Sequence, residues 1–301
     1  MIGASLVYGI VYFMKPESTI LITKRCEDYE LIDSGDGEKL ERFGSIILRR
    51  PDPQALWNKG VSLTQWHEAT AFFDKQWKGR KNIPDTWDIT IDGKRFELKL
   101  SAFKHVGLFP EQRENWNWIE SVVSRTKEPI SVLNLFGYTG GATLSVLKAG
   151  GSVVHVDGSK TALSWAKRNA ELSGLSEKSV RWILDDVLTF VKREVKRGHQ
   201  YDAVIMDPPA FGHGPDGEVW KIEKHLPELI GLLSTLLSEK PLFVLVNGYA
   251  AGYSELAYGN LLKECQKTFG GSIEAGQVTI EETESKRLLP AGIFARWNSA
   301  L

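Results

Sequence analysis

The segment Ser131 to Asp157, SVLNLFGYTGGATLSVLKAGGSVVHVD, constrains the fold of this chain more than any other. Val132, Leu133, Leu135 and Phe136 form an apolar run that breaks at Gly137, Gly140 and Gly141. A helical pattern starts near Ala142, and a second apolar run, Ser152 to Val156, ends on Asp157. A strand, a glycine turn, a helix and a second strand outline a βαβ unit. The glycines let the backbone turn sharply and stand close to a ligand. A carboxylate after the second strand can accept both hydroxyls of a ribose, so the segment predicts a nucleoside-bearing cofactor.

The alternation continues beyond Asp157. Thr161 to Leu172 reads as a helix, Val180 to Leu184 as a strand ending at Asp185-Asp186, and Leu188 to Lys196 as a helix with a basic last turn. Tyr201 to Met206 is a short apolar strand that stops at Asp207-Pro208-Pro209. Leu226 to Leu237 and Ser254 to Phe269 read as helices, with a strand from Pro241 to Val246 between them. This order predicts an α/β fold with a doubly wound, mostly parallel sheet and helices on both faces. Ser272 to Ile280 and Ile293 to Trp297 can add an antiparallel edge pair.

Residues 1–103 have a different character, and we expect a small β-rich accessory domain there, ahead of a cofactor domain over 104–301. Thr19 to Thr23, Tyr29 to Ile32, Ser45 to Leu48 and Phe96 to Leu100 are short strand-like runs between turn signals. Asp92-Gly93, between Ile89 to Ile91 and Arg95 to Leu98, is the strongest hairpin signal in the chain. Ile2 to Met14 is apolar but lacks a basic lead and a cleavage pattern and is too short to span a bilayer, so it reads as a strand. With 37 Lys and Arg against 38 Asp and Glu, no global field draws the chain to nucleic acid or membrane. Any such attraction is local. Asp74 to Lys81 is the candidate: Lys75, Lys78, Arg80 and Lys81 bracket Trp77, as phosphate neutralisation and base stacking on single-stranded RNA require. A solvated loop whose tryptophan tucks into its own domain fits the same residues. The two cysteines, Cys26 and Cys265, form neither a disulfide framework nor a metal pattern, which fits a reducing cytoplasm and no metal.

Lys104 to Ile119 reads as a helix with Pro110 in its first turn, and Glu111 and Glu114 suit its dipole. Gln112 and Arg113 then lie either at the cofactor mouth or on a surface linker. Phosphate-bearing cofactors are disfavoured, because FGYTGGAT contains no GxGxxG and no lysine of the P-loop type.

VLNLFGYTGG, VVHVDGSKTAL, WILDDVLTFV and VIMDPPAFGHG resemble the motifs of class I S-adenosylmethionine-dependent methyltransferases. With LFPEQREN ahead of them, the set is similar to the bacterial family that includes the large-subunit ribosomal RNA methyltransferases. The resemblance implies a Rossmann-like sheet of the seven-stranded type and S-adenosyl-L-methionine as cofactor. It implies that Asn134, Phe136, Gly137, Tyr138, Thr139 and Gly140 surround the methionine part and that Asp157 holds the ribose. Ser159 and Lys160 then border the adenosine, and Asp186, ahead of Asp185, accepts from the adenine amine. Asp207, Pro208 and Pro209 form the loop that faces a flat target amine. Ala210 stands between this loop and Phe211, the ring expected to stack on the target. His213, in FGHGPDG, either assists proton removal or is an exposed loop histidine.

Methylation at carbon 5 of a pyrimidine needs a nucleophile, in such RNA enzymes a cysteine near this edge of the sheet. The strand ending at Val246 runs into Asn247-Gly248-Tyr249, and Cys265 lies inside a later helix. Nitrogen is therefore the expected acceptor. The expected function is methylation of RNA, ribosomal RNA foremost; a small-molecule or protein substrate is the alternative.

Overall fold

The computed structural model describes residues 18–79, 83–102, 104–249 and 252–299. The run Ile2 to Met14, Arg80 and Lys81 lie outside the described residues. The central sheet has eight strands in the order Thr19–Thr23, Ser272–Glu281, Leu288–Asn298, Phe243–Gly248, Ala203–Met206, Ser131–Leu135, Ser152–Asp157, Val180–Leu184. Leu288–Asn298 runs antiparallel to both of its neighbours, and all other pairs are parallel. Seven of these strands follow the alternation in the sequence. The eighth, Thr19–Thr23, comes from the region expected to be separate, yet it pairs with Ser272–Glu281. Gly276 permits this, because a Cβ there would overlap the Thr19 carbonyl.

Phe243–Gly248 and Ala203–Met206 are buried along their whole length, since both faces of the sheet are covered. Val132, Ala203, Ile205, Phe243 and Leu245 face one core, shared with the helices Arg113–Arg125 and Gly141–Lys148. Leu133, Leu135, Val204, Met206, Val244 and Val246 face the other, under the helices Val187–Arg197 and Ile222–Gly231. The first core does not end at the sheet. It runs on into Leu31, Phe43 and Leu48 of an N-terminal five-stranded sheet and into Ile89, Phe96 and Leu98 of a hairpin. That hairpin, Trp87–Ile91 with Lys94–Leu98, turns at Asp92-Gly93 with positive φ at both residues (49° and 74°), as a type I′ turn demands.

Two segments differ from expectation. The helix predicted from Lys104 starts later: Pro110–Gln112 is a 3₁₀ turn and the α-helix is Arg113–Arg125. Proline keeps the preceding Phe109 out of the helical region, at φ −121° and ψ 84°, so the chain enters extended. FGHGPDG is not loop throughout. Phe211–His213 pairs antiparallel with Val219–Lys221 as a short hairpin, Gly212 opposite Trp220. No helix among the described residues is long and apolar enough to cross a membrane.

Candidate active site

A cavity of about 770 Å³ opens at the carboxyl ends of the parallel strands. From Ser131–Leu135 the chain winds outward through Ser152–Asp157 to Val180–Leu184, then crosses to Ala203–Met206 on the other side. The reversal leaves a crevice between the diverging connections.

The glycine turn is built from beneath. His155 is fully buried under Gly137, where a Cβ would run into its imidazole. Asn134 donates to Thr143 Oγ1 at 2.8 Å, and that hydroxyl lies 2.9 Å from His155 Nδ1. Burial pushes the imidazole down to about 3, so His155 is neutral. Thr139 donates to the Gly107 carbonyl at 2.7 Å. Gly140, at φ 92°, precedes the helix Gly141–Lys148. Phe136 and Tyr138 also have positive φ, 56° and 47°, a conformation that L residues rarely hold without surrounding support.

That support comes from Asp157. Its Oδ2 accepts from the Tyr138 N–H and its Oδ1 from the Ser159 N–H, both at 2.8 Å, joining the turns after the first two strands. Burial raises its carboxyl above the usual range, against the pull of these two bonds. Each oxygen keeps a further lone pair for a ligand. Asp185 and Asp186 line the cavity after the next strand. Asp186 caps the helix Val187–Arg197 through Thr189 N at 2.8 Å, whereas Asp185 is taken up in an ion pair with Arg193. These acceptors beside an uncluttered glycine turn fit an adenosyl group.

Asp207, Pro208 and Pro209 line the cavity on the other side of the reversal. Burial, and secondarily the charge of Glu111, raise the Asp207 carboxyl to about 7. Trp220 Nε1 donates to the Pro209 carbonyl at 2.7 Å while its ring meets Phe136 edge-on at 4.7 Å. The hairpin thus ties the proline loop to the glycine turn. A Cβ on Gly158 would stand 3.4 Å from the His213 carbonyl, so the hairpin also reaches the loop after the second strand.

Of the residues predicted for the site, Gln112, Phe136, Tyr138, Ser159 and His213 also line the cavity. Asn134, Gly137, Thr139 and Gly140 are framework. Arg113 is not at the mouth: its guanidinium forks onto Asp92 at 2.7 and 2.6 Å. Lys160 faces a neighbouring shallow groove. Phe211 is 56% exposed beside the cavity rather than in its wall. Lys75 and Trp77 belong to the edge hairpin Ala71–Asp74 with Gln76–Gly79, where Trp77 packs edge-on against Phe73 and Lys78 pairs with Asp74 at 2.6 Å. Sequence reasoning missed His105, Trp165, Trp220 and Tyr249 in the cavity wall, and it gave Glu111 only a place near a helix N-terminus, whereas it is buried in that wall.

A doubly wound sheet whose last strand runs antiparallel, an acid-clasped glycine turn and an Asp-Pro-Pro loop at the reversal define a nucleoside-cofactor-dependent transferase. Residues 50–248 match the sequence model of the S-adenosylmethionine-dependent methyltransferases, and the chain belongs to that family. Its structure is similar to the SAM-dependent methyltransferase of Agrobacterium tumefaciens, with 38% identity, a TM-score of 0.90 and 94% of each chain covered. In sequence it is 28% identical to ribosomal RNA large subunit methyltransferase K of Neisseria meningitidis, over 69% of this chain and 62% of that protein. It is 34% identical to methyltransferase K/L of a Shewanella strain, over 48% of this chain. The chain spans 62% of the length of the first of these relatives and 20% of the second.

Proposed function

We propose that this methyltransferase acts on RNA, ribosomal RNA foremost, and that the acceptor is a base nitrogen. One observation carries the choice of atom: Asp207 borders the cavity, and neither cysteine does. Cys265 is buried in the helix Lys263–Phe269, where burial raises its thiol to about 11, the reverse of what a nucleophile needs. The named substrates of the ribosomal RNA relatives support RNA.

S-adenosylmethionine supplies an electrophilic methyl group. Asp157 holds the ribose hydroxyls through its remaining lone pairs, and the free oxygen of Asp186 takes the adenine amine. Ser159, Phe136, Tyr138 and Gln112 bound the ligand, over a floor held by Asn134, Gly137, Thr139 and Gly140. Asp207, with Pro208 and Pro209 fixing its backbone, accepts the N–H of the target, orients its lone pair and takes up the released proton. A carboxyl titrating near 7 suits that exchange. Phe211 is available from the hairpin to stack on the target. Residues 1–103, apart from the sheet strand Thr19–Thr23, serve as the substrate-facing module, and a cytoplasmic setting goes with two free thiols.

Deleting the gene in its host and comparing the nucleosides of total RNA by mass spectrometry tests this reading. We expect one N-methylated nucleoside to disappear. An unchanged RNA profile refutes it, and loss of a 5-methylpyrimidine refutes the choice of atom. For the site, Asp157→Ala should abolish S-adenosylhomocysteine binding in calorimetry, whereas Asp207→Ala should leave binding intact and remove transfer.

A further inference from the structure

Glu111 sets a carboxylate in an expensive place. It is 5% exposed and lines the cavity, and its carboxylate accepts from its own backbone N–H. Two cations lie near, but both are committed. Arg50 forks onto Glu41, with its Nε 2.8 Å from Oε2, and Lys39 stands 3.3 Å from Asp52 and 3.8 Å from Glu41. Burial raises the Glu111 carboxyl, with Glu41 adding to the effect while Lys39 and Arg50 oppose it. Beyond that backbone bond the carboxylate keeps acceptor capacity that an occupant of the cavity can use.

Strand order indicates which occupant. The acids suited to the cofactor, Asp157 and Asp186, follow the two strands on one side of Ser131–Leu135. Glu111 belongs to the other arm. The Thr23 hydroxyl donates to the carbonyls of Pro110 and Glu111, at 3.3 and 3.1 Å, and so fixes this turn above the far edge of the sheet. Its companions in the cavity wall there are Tyr249, just past Phe243–Gly248, and Ala291 of Leu288–Asn298. Asp207 stands between the two arms and feels the charge of Glu111. The backbone of this turn is therefore anchored and its acid is held ready.

We propose that Glu111 reads the acceptor: its carboxylate accepts a hydrogen bond from a second N–H of the flat group whose target nitrogen faces Asp207. The site then selects heterocycles that carry an N–H donor beside the methylated atom and disfavours those presenting an acceptor lone pair, which would face a carboxylate. This rests on the RNA reading above and adds to it the hydrogen-bonding edge that is recognised.

The test uses the full chain, unmethylated RNA from the deletion strain, and transcripts in which the target nucleoside is replaced by an analogue lacking the neighbouring N–H. Glu111→Ala should keep S-adenosylhomocysteine affinity within about twofold and lower kcat/KM for natural RNA by about 10- to 100-fold, the range for a hydrogen bond to a charged group. The analogue should cost the wild type a similar factor and cost Glu111→Ala nothing further. Glu111→Leu, which is close in size and has no acceptor, carries the same readouts if the alanine variant does not fold. Multiplying losses, weakened cofactor binding in either variant, or a methylated nucleoside without a second N–H donor would each overturn the proposal. Wild-type protein that methylates no RNA overturns the RNA reading and this proposal with it. Normal methylation of natural RNA by both variants sinks this proposal alone.

Discussion

Asp207 lends itself to a quantitative test because its environment acts against its charge. Its carboxyl titrates at about 7 instead of 3.8, chiefly because the cavity wall removes it from water. A folded-state value above the unfolded one means that ionised Asp207 destabilises the fold. The penalty is absent below the unfolded value, grows as pH rises between the two, and is complete above about 7. The two values correspond to about 4 kcal/mol as a ceiling. Asp207→Asn keeps the shape of the side chain and removes the charge, so it should raise stability. For a chain of 301 residues this ceiling corresponds to about 6 °C in the unfolding midpoint. Thermal unfolding of both proteins should show that gap at pH 8 and less than half of it at pH 5. An equal gap at both pH values, or a less stable variant at pH 8, would mean that burial does not penalise this carboxylate, and the assignment of Asp207 as the proton acceptor would lose its basis.

Three further outcomes follow from the packing. Gly137→Ala should lose about 1–3 kcal/mol in urea unfolding, because its methyl group competes with the His155 ring for the same space. Trp220→Phe keeps a ring against Phe136 but removes the bond to the Pro209 carbonyl; kcat should fall about fivefold with homocysteine-product affinity unchanged in calorimetry. Arg113→Ala should leave that affinity unchanged and cost about 1 kcal/mol of stability, since its partner is Asp92 and not the cofactor.

The parallel strands were legible because covered strands must be apolar on both faces, which leaves uninterrupted runs such as VIM before Asp207 and FVLV before Asn247. The acids Asp157, Asp185 and Asp207 after three of these strands were legible for the same reason: the charge marks where burial ends. The hairpin over the proline loop was not. Its strands have three residues each, too few for a period, and its stability comes from Trp220 meeting Phe136, a contact across 84 positions. The surroundings of Glu111 and Arg113 were not legible because they come from distant segments, Thr23 for one and the Asp92 turn for the other. Local pattern carries no information about partners that only tertiary contact supplies.

The apolar core shared between the N-terminal strands and the main sheet bears on how this protein can be divided. Leu31, Phe43, Leu48, Phe96 and Leu98 are packed in the same cluster as Val132, Ile205 and Leu245. A truncation at residue 104 would strip one face of that core to water and also remove Ser101 and Ala102 from the cavity wall. The two parts should melt in a single cooperative transition, and a fragment starting at 104 should aggregate rather than bind cofactor. What looks like an appended reader domain is, mechanically, half of the packing that keeps the catalytic strands in register.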